Sequence, residues 1–430
     1  MKKTLLSALA FGIALGATAA PEKMLELQLA DQNGLVAAAT KLGEYTGNAS
    51  LGAMAVVGLA NAPAVTNCCG KSQMSLFIDS EGKAELEDVF ATADPRFEAA
   101  PALGAGKVLR VDITQNGVAL LVRALKEAAK DDDVGAMNMD YAVELLNSIG
   151  SMSLVLGVTD GGLDFELSIL PVPGTELAKV GDKTLSGDAL AFAGKGALYA
   201  IAYAADCGTG ASRENLSKLM ELFAKNGFKT DGFLKEETSG VATRFTLDIP
   251  ALASYLQGEG KAALEKLGGD EAAQKAFVSE MSAIGSKPFK AEGPEMSVAF
   301  YVNGITTPAT ASERFAKAMP EAAGRKCYSV GVFSFYGILR GVAAQVAALP
   351  CCAEVGATVR GMLQALPPDA DAAIAGMGWK EGGRMRILLR VNPAEIKGLY
   401  AGGSTMATMA LGTASRMNIE LDDDDDDDEE

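Results

Sequence analysis

The chain has 430 residues, of which 49% are hydrophobic and 22% are charged, so it can bury a core large enough for two or three domains. Its formal net charge of −17 opposes contact with phosphate backbones, which argues against a nucleic-acid partner and against docking on anionic lipid. The sequence contains no histidine. Ser-His-Asp catalysis, Cys-His catalysis and His-ligated zinc or haem are therefore excluded.

The first nineteen residues have the pattern of a cleaved secretory signal. Lys2 and Lys3 precede an apolar run over Leu5–Gly16, and Ala17-Thr18-Ala19 supplies the small residues of a cleavage site. The apolar run is shorter than the ~20 residues that a membrane-spanning helix needs. We therefore expect a chain that is cut after Ala19 and exported to the periplasm, the cell envelope or the medium. We expect no integral membrane segment in the mature chain.

Four segments begin as an alternating strand and continue as a helix. Alternate strand residues are apolar, as at Leu25, Leu27 and Leu29, which is typical of a strand with one buried face. The four segments span 25–39, 109–125, 243–256 and 328–344. A glycine or proline is predicted to break each strand, at Gly34, Gly117, Pro250 and Gly337.

Returning strands and tight turns follow these segments. Three of the returning strands share a Met-Ser start, at Met74, Met152 and Met296. Turns that need positive φ are predicted at Ser80-Glu81-Gly82, Asp160-Gly161-Gly162, Asn303-Gly304 and Lys380-Glu381-Gly382-Gly383. Each unit is thus predicted to run from strand to helices to hairpin.

The spacing of these units suggests a duplication. Leu27 and Leu247 are 220 residues apart, and Val111 and Val332 are 221 residues apart. The sequence therefore predicts an α+β fold of two similar halves, each with an antiparallel sheet built from two strand–helix–helix–hairpin units packed against helices. The alternative is a chance match of apolar patterns in an Ala-rich α+β chain.

The duplication also predicts the boundaries along the chain. A helix is expected over 212–226 because Ser212 is a good N-cap, Leu216 and Leu219 share an apolar face, and Asn226-Gly227 ends it. The predicted organisation is a signal over 1–19, a first half over 20–172, a connecting segment over 173–242, a second half over 243–415 and a disordered acidic tail over 416–430.

The six cysteines are expected to form disulfides or to be buried thiols, because an exported chain meets an oxidising environment. No C-x-x-C spacing favours a redox or metal site. The cysteines are Cys68, Cys69, Cys207, Cys327, Cys351 and Cys352. Their spacing does not select a pairing.

No segment matches the spacing of a catalytic or phosphate-binding motif. Ser80 and Lys83 have S-x-x-K spacing but lie in a predicted hairpin turn, where the lysine is not desolvated. Gly104-Ala105-Gly106-Lys107 precedes a strand instead of following one, and Val108 replaces the Ser or Thr of a phosphate loop. We therefore assign no catalytic residue, no cofactor-binding residue and no cofactor.

The run Asp422–Glu430 is the most strongly charged segment. Its nine consecutive acids repel one another, which favours a solubilising role. The alternatives are a weak association with a divalent cation such as calcium and a tether for a basic partner. The candidate metal ligands are Asp422, Asp424, Asp426 and Asp428.

These features favour an exported, non-catalytic binding protein or an envelope-associated structural protein of unknown ligand. Its expected partner is an unknown protein or a small apolar ligand. Two alternatives stay open: a His-free hydrolase that uses a carboxylate pair, and a carrier of an apolar ligand in a groove between the halves. A pocket with converging carboxylates would favour the hydrolase, whereas a long apolar groove would favour the carrier.

Overall fold

Helices and one mixed sheet form an α+β fold in the computed structural model of the chain. The mixed helix and strand content predicted from the sequence is confirmed. The predicted signal, the acidic tail and the candidate calcium ligands within it lie outside the described residues. The structure describes residues 22–50, 52–54, 57, 74–78, 103–128, 142–205, 213–285, 290–350, 353–368 and 371–404.

The sheet contains twelve described strands. They are β1 (Glu22–Leu29), β2 (Met74–Ile78), β3 (Lys107–Ile113), β4 (Ile149–Thr159), β5 (Gly162–Pro171), β6 (Tyr199–Tyr203), β7 (Leu234–Ser239), β8 (Ala242–Leu247), β9 (Met296–Val302), β10 (Cys327–Phe333), β11 (Ile374–Glu381) and β12 (Arg384–Val391).

The helices lie between these strands along the chain. They are α1 (Gln32–Thr46), α2 (Gln115–Ala128), α3 (Glu176–Lys179), α4 (Arg213–Lys225), α5 (Ile249–Gln257), α6 (Glu259–Gly268), α7 (Glu271–Gly285), α8 (Ala311–Ala318), α9 (Phe335–Val346) and α10 (Ala353–Ala365). Residues 142–147 and 393–404 are also helical, and Pro320–Ala322 form a 3-10 turn. None of the described helices is long and apolar enough to cross a membrane.

All twelve strands belong to one open sheet in the order β2-β1-β3-β4-β5-β12-β11-β10-β6-β9-β8-β7. Neighbouring strands are antiparallel except β8 and β9, which are parallel. The seam between β5 and β12 runs from Ile169 opposite Met385 to Leu163 opposite Val391. The predicted separate sheet in each half is therefore corrected to one continuous sheet, in which this pairing leaves neither strand as an open edge.

The predicted equivalence of the strands around Leu27 and Leu247 is not confirmed. Strand β1 lies between β2 and β3 and is antiparallel to both. Strand β8 instead lies between β7 and β9 and is parallel to β9. The predicted duplication matches β10 with β3. The neighbour of β3 is β1, and the corresponding neighbour of β10 is β6, which comes from the segment predicted as a connector. Equal spacing along the chain therefore did not predict the strand neighbours.

The two faces of the sheet are distinguished by the cross-strand register. We call the face that carries Val111 opposite Leu154 the first face, and the face that carries Asp112 opposite Ser153 the second face. Following the register across β5, β12 and β11 places Val332 on the second face. The 221-residue spacing thus matched two valines on opposite faces, because a shift of one residue moves a strand's side chains to the other face.

All four predicted strand-to-helix segments are present, and a polar N-cap starts each helix. Each cap accepts a hydrogen bond from the backbone N–H three residues later, which satisfies a donor that the helix leaves unpaired. The bonds are Asp31 from Gly34 (2.7 Å), Thr114 from Gly117 (3.4 Å), Asp248 from Ala251 (2.9 Å) and Ser334 from Gly337 (2.8 Å). The predicted strand breaks therefore lie within the first helical turn, and the caps precede them.

A buried ion pair crosses the seam. Arg390 of β12 lies opposite Asp164 of β5 and donates from Nε and Nη2 to the two carboxylate oxygens, at 2.7 and 2.9 Å. Arg390 also approaches Glu321 of the 3-10 turn at 2.9 Å. The Asp164 side chain is 3% exposed. The hydrogen bonds to Asp164 raise the pKa of Arg390 above its ordinary range, so the guanidinium stays charged.

Replacing Arg390 with methionine should destabilise the fold strongly, because it leaves the Asp164 carboxylate buried without its guanidinium. We expect Arg390→Met to lower the free energy of unfolding by about 3–5 kcal/mol, measured by urea denaturation. The double variant Asp164→Leu/Arg390→Met is the matched control and should recover most of the loss. A single-variant loss below about 1 kcal/mol, as for exposed pairs, would contradict this role for the ion pair.

Candidate functional site

Two cavities of similar size lie on opposite faces of the sheet. The apolar cavity, of about 600 Å³, lies on the first face above β6, β7, β8 and β9. The polar cavity, of about 630 Å³, lies on the second face at β3, β4, β5 and β12. The two cavities differ completely in the chemistry of their side chains.

The apolar cavity has a floor of strand residues and a roof of helix residues. Tyr199 opposite Phe300 and Ile201 opposite Val298 form part of the floor. Helix α4 forms the roof, because three of its apolar residues recur at helical spacing. The full lining is Tyr199, Ile201, Leu216, Leu219, Met220, Leu234, Phe245, Val298, Phe300 and Ile338.

The roof of the apolar cavity is held by contacts on its far side. Phe223 of α4 packs against Phe277 of α7, with ring centroids 5.7 Å apart. Lys225 pairs with Glu280 of α7 at 2.7 Å. Helix α4 therefore packs against α7 as well as against the sheet. It spans nearly the range predicted from the sequence.

Tyr199 supplies the polar atom of the apolar lining. Burial raises the pKa of its phenol above the ordinary value of 10.0, so the hydroxyl stays neutral. Among the described residues, no side chain that lines this cavity carries a charge. A ligand that enters it therefore meets apolar surface and one neutral hydroxyl.

The polar cavity owes its character to strand alternation. Every second residue of β3, β4, β5 and β12 points to the second face, and most of these residues are charged or carry a hydroxyl. The polar lining side chains are Lys107, Arg110, Asp112, Thr114, Ser151, Ser153, Glu166, Ser168, Arg384 and Arg386.

Three of the four cations in the polar cavity are paired with a carboxylate. Arg110 Nε lies 2.8 Å from Asp112, and Arg386 Nη1 lies 3.0 Å from Glu166. Lys107 approaches Glu166 at 3.5 Å. The fourth cation, Arg384, has no carboxylate within 4.0 Å among the described residues. It donates from Nε to Ser168 Oγ at 2.8 Å and from Nη1 to Ser151 Oγ at 3.5 Å.

Two carboxylates of the polar cavity and the buried carboxyl of Glu395 have described partners. Asp112 and Glu166 are each ion-paired with an arginine. Glu395 has a raised pKa because it is buried, but its carboxylate accepts hydrogen bonds from Ser334 Oγ at 2.8 Å and from the Tyr336 N–H at 2.7 Å. Glu395 is therefore a structural cap of α9.

The remaining site predictions fall mostly outside the described residues. Asp422, Asp424, Asp426 and Asp428 lie there, as do the five cysteines other than Cys327. Within the described ranges, no group of three or more Cys, Asp or Glu could hold a metal ion, and no disulfide is seen. Cys327 is a free, buried thiol, and burial raises its pKa.

Two residues of the glycine segment that was rejected as a phosphate loop, Gly104 and Lys107, line the polar cavity. Lys107 belongs to the glycine segment that was predicted to precede a strand, and it does begin β3. Its side chain nevertheless lines the polar cavity. Polar residues at alternate strand positions, such as Arg110 and Asp112 or Ser151 and Ser153, were the signal that could have revealed this cavity.

Comparisons with protein-family models, with curated proteins and with solved structures found no match. The two cavities are therefore the basis on which a function can be argued.

The buried carboxyl of Glu395 should give the protein a pH-dependent stability. Its pKa in the folded state lies above the ordinary value of 4.5, so the folded state binds this proton more tightly than the unfolded state. Its contribution to the free energy of unfolding should therefore fall as pH rises above 4.5 through the raised pKa, by about 1.4 kcal/mol per unit of pKa difference.

The Glu395→Gln variant tests this dependence, because glutamine has no proton to bind. Urea unfolding between pH 4.5 and 8 should show a smaller decline in stability for the variant than for the parent chain. Parallel pH profiles for the two proteins would contradict the assignment.

Proposed function

We propose that the protein is an exported, non-catalytic binding protein that carries an apolar ligand in its apolar cavity. The observation that carries this proposal is a cavity of about 600 Å³ whose described lining residues include no charged side chain. Ligand cavities typically measure about 300–1,000 Å³ and are lined mainly by apolar and aromatic residues. Export is part of the proposal and rests on the signal pattern of residues 1–19.

The hydrophobic effect supports binding of an apolar ligand in this cavity. Such a ligand would contact the lining side chains and remove its own surface from water, at about 25 cal/mol per Å². The Tyr199 hydroxyl offers one hydrogen bond, so a ligand with a single neutral polar group suits the lining.

The location of this cavity differs from the groove predicted between the halves. That junction is the β5–β12 seam, where Leu389 of β12 and Leu154 of the adjacent β4, both on the first face, are each 37% exposed. The apolar cavity lies instead over β6–β9, because α4 spans the strands there and stands off the sheet. The carrier hypothesis is therefore retained with a different site.

Filling the cavity should abolish ligand binding without unfolding the chain. Val298→Trp places an indole on the cavity floor, and we expect the affinity for N-phenyl-1-naphthylamine, an uncharged apolar fluorophore with a single N–H group, to fall by about tenfold or more. Overpacking of this kind costs about 1–3 kcal/mol, so circular dichroism should confirm folding of the variant.

Val241→Trp is the matched control, because Val241 is 45% exposed and lies outside the cavity lining. The control should bind N-phenyl-1-naphthylamine as the parent chain does. Absence of binding by the parent chain, or equal affinities for all three proteins, would contradict the proposed function.

A further inference from the structure

The second face of the sheet changes from polar to apolar along a single row of neighbouring residues. The row crosses seven strands and reads Arg110, Val155, Glu166, Leu388, Met377, Val330 and Ala202. From Leu388 onward the row belongs to the largest buried cluster, which α8 helps to cover. The other end of the row lines the polar cavity. The same sheet face is therefore closed as a core on one side and left polar and open on the other.

The polar end is costly as a purely structural arrangement. Ser153 and Ser168 are each only 9% exposed, and Glu26 of β1, opposite Asp112, is 4% exposed. Burying polar and charged groups costs free energy unless each is well paired. Ala, Val and Met close the apolar end of the face without that cost, so the polar residues are best explained by a ligand.

Arg384 identifies the kind of ligand. The carboxylates that face it are engaged elsewhere: Asp112 with Arg110, and Glu166 with Arg386 and Lys107. The nearby Glu381 also contacts Arg386, at 3.0 Å. Arg384 contacts two serine hydroxyls, and no described acid neutralises it.

We infer that the polar cavity binds a small oxyanion, a carboxylate or phosphate group, through Arg384 and the serine hydroxyls around it. Among the described lining residues, four cations face only two carboxylates, Asp112 and Glu166. Glu381, which contacts Arg386, and Glu26, which lies opposite Asp112, are outside this lining. A guanidinium presents donors in a planar fork that matches the two oxygens of either group. Ser151 and Ser153 add hydroxyl donors on β4.

The electrostatic environment of Arg384 favours the binding of a negatively charged group. Burial and the neighbouring guanidiniums of Arg386 and Arg110 lower the pKa of Arg384, while Asp112 partly opposes this. A bound oxyanion would oppose this lowering of the pKa, because its negative charge stabilises the charged guanidinium. This site lies on the opposite face from the apolar cavity, so it does not depend on the proposed function.

The test is isothermal titration of the full chain with inorganic phosphate and, separately, with succinate. We expect at least one of these anions to bind and its affinity to fall with added NaCl. Arg384→Gln should weaken that binding roughly tenfold or more, as expected when a charge-assisted contact is lost. Binding of phosphate alone identifies a phosphate ligand, and binding of succinate alone identifies a carboxylate ligand.

Two further variants keep the test decisive if Arg384→Gln folds poorly. Lys317→Gln removes an exposed cation that pairs with Asp371 far from the cavity, and it should bind the anion as the parent chain does. Glu166→Gln removes a competing carboxylate and should tighten anion binding several-fold, which a merely structural role would not produce. Absence of binding for both anions, or unchanged affinity in both Arg384→Gln and Glu166→Gln, would overturn the inference.

Discussion

The pairing of β5 with β12 is the constraint on which the rest of the structure depends. It joins strands that are more than 200 residues apart in sequence, and it turns two groups of strands into one twelve-stranded sheet. The Arg390–Asp164 pair lies directly across this seam and is nearly excluded from water. Gly162 allows the close approach beside it, because a Cβ there would lie 2.0 Å from the Val391 carbonyl oxygen. Its φ of 131° also favours glycine.

The continuous sheet has two faces, and other segments of the chain must cover each face. Beneath α8 the second face is closed by small residues such as Ala200, Ala202 and Ala299, all 0% exposed. Small side chains let the covering segments approach the sheet closely, which explains how an Ala-rich chain with few aromatic residues builds a core. Trp379 is the large exception, and the Arg325 guanidinium stacks 4.7 Å above its ring.

The local structure was readable from the sequence because it is decided by nearby residues. Alternating apolar residues predicted strands, and all four strand-to-helix segments are present. The order of the strands in the sheet could not be predicted from the sequence, because it depends on pairings between strands that are far apart along the chain. Strand β6 shows the limit: its short run Tyr199–Tyr203 lay within a predicted connector, yet it pairs with both β9 and β10. Apolar spacing alone also could not detect the one-residue shift that puts Val332 on the other face from Val111.

The candidate site was missed for a related reason. Sequence motifs such as S-x-x-K or glycine loops consist of residues that are close together in the chain. The polar cavity is instead lined by single residues from four strands. Arg110 and Arg384 are far apart in sequence and come together only through the β3–β4–β5–β12 order. Each strand shows only two or three polar residues at alternate positions, which is also the ordinary pattern of a solvent-facing strand. The order of the strands in the sheet is needed to distinguish a polar cavity from ordinary solvent-facing strands.

The two cavities select different ligands because the sheet lies between them. A charged group would lose its hydration in the apolar cavity without gaining an ionic partner, since no described lining side chain there carries a charge. An apolar chain in the polar cavity would cover the hydroxyls and guanidiniums and leave their hydrogen bonds unmade. A single amphiphile cannot occupy both sites, because the hydrogen-bonded strands leave no passage from one face to the other. If both cavities are filled, they are filled by two separate molecules, and any coupling between them must pass through the strands they flank.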